Sequence, residues 1–91
     1  MRPVKTVTLR GKRWRICYSP YEKYGECESP CEKNKLITLR DDLAGKDKLD
    51  TIIHEALHAC LWDLDEEAVH GTAKGIATFL WRMGYRTKED L

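Results

Sequence analysis

No stretch of this chain approaches the ~20 consecutive apolar residues that crossing a bilayer requires. Its opening, Met1-Arg2-Pro3-Val4-Lys5, also lacks the apolar run of a secretory leader, so the expected location is cytoplasmic. A dominant charge is missing as well. The 16 Lys and Arg residues nearly cancel the 15 Asp and Glu, and a net charge of +1 gives no broad field toward nucleic acid or membrane. No repeat or low-complexity segment is present. With 42% hydrophobic and 34% charged residues, the composition excludes a disordered chain and fits a globular one. Ninety-one residues make a single domain, 1–91, close to the lower limit of what folds on its own core, and a bound metal would help to stabilise it.

Cysteine is modestly present, as Cys17, Cys27, Cys31 and Cys60. Without an export signal, reduced thiols are expected rather than two disulfides. Cys27 and Cys31 form a C-x-x-x-C pair that could bind a second metal or be joined by oxidation. A structural zinc needs four ligands, however, and no second Cys/His pair is free to complete the set. Cys60 reads as a small core residue.

Val4 to Leu9 alternates Val4, Thr6, Thr8 against Lys5, Val7, Leu9 and reads as a strand; after a turn at Gly11-Lys12, Trp14 to Tyr18 reads as its returning partner. Ser19 to Lys35, with Pro20, Gly25 and Pro30, reads as an irregular loop. Leu36 to Leu39 is a third short strand, and 41–45 reads as a helical turn. Asp47 is expected to cap a helix from about Lys48 to Trp62, and Asp65 a last helix from Glu66 to Met83 that stops at Gly84. The order β-β-β-α-α predicts an α+β fold: a small three-stranded N-terminal sheet with two longer C-terminal helices packed on it.

Histidine is scarce, and its three copies (His54, His58, His70) all fall in one region. His54-Glu55-Ala56-Leu57-His58 is an H-E-x-x-H motif within the first predicted helix. Four-residue spacing stacks the two imidazoles on one helical face, about 5–6 Å apart at Cβ, which suits joint ligation of Zn²⁺. Glu55, one step round the helix, is the candidate general base. Leu49, Ile52, Ile53, Ala56, Leu57 and Cys60 recur at helical spacing and predict the core face, with the histidines on its flank.

Two histidines leave a third ligand to be found. The metzincin continuation is excluded, because Leu61 and Leu64 stand where it needs Gly and His. Asp63, Asp65, Glu66, Glu67 and His70 remain. Val69, Ala73, Ile76 and Leu80 set the core face of the last helix; Glu66 and His70 lie beside it and Glu67 points away. Glu66, in the first turn and facing back toward His58, leads. His70 is the alternative, either as ligand or as a partner orienting one.

Residues 53–59, 64–69 and 80–86 together resemble the small zinc-metallopeptidase-like proteins of bacteriophage genomes, a likeness that extends upstream to Gly11-Lys12-Arg13-Trp14 and the Ile37 strand. The chain is also similar to minimal gluzincins, whose third ligand is a glutamate on the following helix, which implies Glu66. His70-Gly71 resembles the His-Gly pair of SprT-like peptidases, in which that histidine ligates. The resemblance implies a zincin fold, zinc, peptide-bond hydrolysis in the host cytoplasm, and a polypeptide substrate paired with a sheet edge, here the strand around Ile37.

The reading is a zinc-dependent metalloendopeptidase with His54, His58 and Glu66 as ligands and Glu55 as base. One alternative is a non-catalytic, zinc-stabilised interaction module. Another is a nucleic-acid-associated SprT-like protease using the basic hairpin (Arg2, Lys5, Arg10, Lys12, Arg13, Arg15), with Trp14 available for stacking. The hairpin's bland reading is a solvated face whose charges protect an edge strand.

Overall fold

The computed structural model describes residues 3–20, 25–28, 31, 33 and 35–87. The elements run β1 (Pro3–Leu9), β2 (Lys12–Ser19), β3 (Gly25–Cys27), β4 (Leu36–Arg40), α1 (Gly45–Cys60) and α2 (Glu66–Arg82). The fold is α+β, a sheet followed by two helices. The three expected strands are joined by a short fourth, β3, inside the segment read as an irregular loop.

Strands β1 and β2 form an antiparallel hairpin closed by Arg10 and Gly11, whose φ values of 49° and 77° are both positive. That pair of left-handed residues is the signature of a type I′ two-residue loop, whose twist matches the flanking strands. The turn therefore lies one residue earlier than the Gly11-Lys12 expected. Strand β4 joins β2 in parallel, Ile16 beside Ile37 and Tyr18 beside Leu39, and β3 pairs antiparallel with β4 on its other side. The sheet order is β1-β2-β4-β3. The Ile37 strand is thus internal and not the edge expected for a substrate; the edge on that side is β3.

Helix α1 starts three residues before the expected Lys48. Ala44, extended at φ −145° and ψ 164°, takes the N-cap position without a side-chain cap, and Asp47 falls in the first turn instead of capping. There its carboxylate still favours the positive end of the helix dipole. At the other end Arg10 Nη1 donates to the Cys60 carbonyl at 2.8 Å, satisfying one of the last unpaired carbonyls and tying the hairpin turn to the helix. Asp65 caps α2 as expected, accepting from Ala68 N at 2.7 Å, and Gly84 at φ +91° ends it.

The core lies between sheet and α1, where Trp14, Ile37, Leu39 and Ala59 are buried and Val7, Leu9, Ile16, Tyr18 and Cys27 pack around them. The face of α1 that is buried is Thr51-Glu55-Ala59, not the predicted Leu49, Ile52, Ile53, Ala56, Leu57, Cys60 stripe. Ile52 is 38% exposed and the others are half-buried. The rotation has a physical cause: α2 packs on α1, so the layers are sheet, α1, α2, and α1 is contacted on two sides. The larger apolar side chains fall to the flanks, while short ones let the backbone approach the sheet. On α2, Val69, Ala73 and Ala77 are buried, whereas Ile76, expected in the core, is 39% exposed. Trp14 has no exposed surface, so it is not available for stacking on a base. Among the described residues, no helix is long and apolar enough to cross a membrane.

Candidate metal centre

Helical spacing brings His54 and His58 together on the α2-facing side of α1. Their ring centroids are 4.9 Å apart and their Nε2 atoms 3.2 Å apart. Leu61 ends α1, a turn closes with Leu64 N donating to Leu61 O at 3.0 Å, and the Asp65 cap fixes the phase of α2. Glu66 is then the first residue of α2 and faces the two rings. Its Oε1 lies 2.8 Å from His54 Nε2 and its Oε2 3.0 Å from His58 Nε2. The three ligand atoms fall within 4.8 Å of one another, a group that could hold a metal ion.

The dimensions fit. Donors about 2.0–2.1 Å from a tetrahedral centre stand about 3.3 Å apart. The contacts here, 2.8–3.2 Å, are those of three donors hydrogen-bonded to one another and slightly closer than that. Glu66 is prepared for the role. Its slight burial pushes the carboxyl upward, but the hydrogen bond from His54 and the positive charge of His58 and His54 outweigh this and hold it below its ordinary 4.5. Most of its side chain, 71%, is open to solvent, while the histidines are mostly covered.

The other candidates stand apart. The His70 ring is exposed, its centroid 6.3 Å from that of His54, beside the triad but outside it. Glu67 and Asp63 are exposed and not in the cluster, and Asp65 is occupied as the cap. Glu55 lies about 100° round the helix from His54, on the sheet-facing side, and is only 5% exposed. There β3 covers it, and its carboxylate is one of the charges felt by Cys27. Burial first, then Glu55, Glu28 and Cys60, push the Cys27 thiol up to about 12. Cys27 faces the core and Cys31 is exposed, and they do not form a metal-holding group among the described residues.

Two neighbours were not foreseen. Trp62 sets its ring edge-on to His58, with centroids 6.2 Å apart. Its position four residues after His58 was the available signal. The cover that β3 gives Glu55 left no comparable trace, because three residues carry too little pattern. Compared with known family models, with characterised proteins and with solved structures, the chain matches none.

Proposed function

We propose that the protein is a zinc-dependent metalloendopeptidase in which His54, His58 and Glu66 hold the metal and Glu55 is the general base. The observation that carries this is the convergence of two imidazole nitrogens and one carboxylate from an H-E-x-x-H helix and its neighbour. Two histidines and a glutamate are a donor set used by hydrolytic zinc sites, with one position left for water or substrate. When bound, zinc supplies Lewis acidity that acidifies a water and polarises the scissile carbonyl.

The chain's own residues do the remaining work. Glu55 takes the proton of the attacking water and delivers it to the leaving amine. Glu55 is 5% exposed, and its carboxylate lies near enough to Cys27 to act on that thiol. Strand β3, at the sheet edge next to α1, offers main-chain groups to an extended polypeptide. Trp62, 46% exposed and edge-on to His58, supplies apolar surface at the rim of the site.

The test is metal content and cleavage of an unfolded protein such as casein, with Glu55→Gln as the deciding variant. It should retain one zinc and the wild-type melting temperature and lose cleavage. A second reading makes the metal purely structural, and the depth of Glu55, 5% exposed, favours it. On that reading the wild type binds zinc without cleaving any substrate. Undiminished cleavage by Glu55→Gln removes Glu55 from the mechanism.

A further inference from the structure

The face of the sheet turned away from α1 carries a second feature with its own chemistry. Strand alternation puts Val7 and Trp14 on the core side of the hairpin and Thr6, Arg13 and Arg15 on the other. The chain re-enters the sheet beside them, Arg15 N donating to the Lys35 carbonyl at 2.9 Å. The result is an open hollow of about 300 Å³ lined by Thr6, Arg13, Arg15, Lys33 and Lys35. Four cationic side chains and one hydroxyl line it, and no carboxylate does among the described residues.

We propose that this hollow is a phosphate-binding site that takes the phosphodiester backbone of a nucleic acid without reading its sequence. Arg13 and Arg15 are two residues apart on one strand, hence about 6.6–6.8 Å apart at their bases, and the Lys33 and Lys35 chain lies alongside. That forms a double row of cations along a direction a polyanion can follow. Guanidinium forks match phosphate oxygens two at a time, and lysines add point charges.

The lining also says what is not read. Of the hairpin's aromatics, Trp14 is fully buried and Tyr18 packs against the core on the opposite face, so among the described residues no stacking platform accompanies the charges. An acidic peptide is the less suitable occupant: among the described residues the lining holds no apolar side chain to seat one of its residues, and the hollow lies on a sheet face rather than at a strand edge. The net charge of +1 does not oppose local binding, because charges beyond about 8–10 Å are largely screened at physiological salt. The site is independent of the metal centre.

Fluorescence anisotropy with a labelled oligothymidylate tests it. With four cations engaged, log affinity should fall against log salt with a slope of about −3, a loss of about 50-fold between about 50 and 200 mM. Arg13→Ala and Arg15→Ala should each flatten the slope by about 0.7, and the double variant should bind at least 10-fold more weakly. Both side chains are exposed, and an unchanged thermal melt verifies the fold. Charge reversal at Lys74 and Arg82, exposed on α2, should change nothing. The proposal is overturned by absence of binding at low salt, by equal loss in the α2 variant, or by polyglutamate competing as well as the oligonucleotide.

Discussion

At the residue scale, Glu66 carries the largest consequence. Its carboxylate touches both motif histidines, whereas Glu67 is exposed and His70 stands 6.3 Å from His54 by ring centroid. Glu66→Ala should therefore weaken zinc binding most, and Glu67→Ala hardly at all. His70→Ala should fall between them, by about 10–100-fold, the usual effect of losing a residue that steadies a ligand. Competition with a chromogenic chelator gives the ranking; a larger loss at His70 than at Glu66 would reverse the ligand assignment. The cysteines offer a simpler check. With its thiol pushed up to about 12, Cys27 is almost wholly protonated at neutral pH, and its neighbours cover it. Alkylation followed by mass spectrometry should label exposed Cys31 well before Cys27. Simultaneous labelling would show that packing against the core does not shield the thiol.

At the scale of elements, both helices and the Asp65 cap were legible because a long periodic segment and a capping carboxylate are local signals. The grouping of His54, His58 and Glu66 was legible for the same reason, since it needs only i, i+4 spacing and a tight reversal. Two things were not. The buried face of α1 is set by what packs on its two sides, and a single stripe of Ile52, Ile53 and Leu57 cannot report two neighbours. Strand β3 exists through its pairing with β4; Gly25, Glu26 and Cys27 have no strand pattern of their own. The layering also bears on stability. Helix α2 presents mainly small residues (Ala73 and Ala77, with Val69) to α1, so a metal held by both helices, as proposed, would add a substantial share of their association. Chelation should lower the melting temperature by several degrees and reduce α2 protection before that of the sheet. Identical melts with and without metal would show that the helices hold together unaided.

At the scale of the whole molecule, one aromatic carries much of the core. Trp14 contacts sheet and helix with no exposed surface, and its indole nitrogen has no hydrogen-bond partner among the described residues. Trp14→Ala should cost about 3–5 kcal/mol, a large part of the about 5–15 kcal/mol that holds a domain folded. Urea titration would read this as a lower midpoint; a loss under 1 kcal/mol would mean the core refills the space. Trp14→Phe, which keeps most of the ring and drops the unpaired donor, should be far milder.

The sheet order has a consequence in time. Strand β3 precedes β4 in the chain yet, among the described residues, has β4 as its sole partner in the sheet, while β4 also pairs with β2. Three residues cannot persist as a strand alone, so β3 has nowhere to dock until β4 has settled beside the finished hairpin. The earlier-synthesised strand is thus the later one to form, and on a ribosome it must wait for residues not yet made.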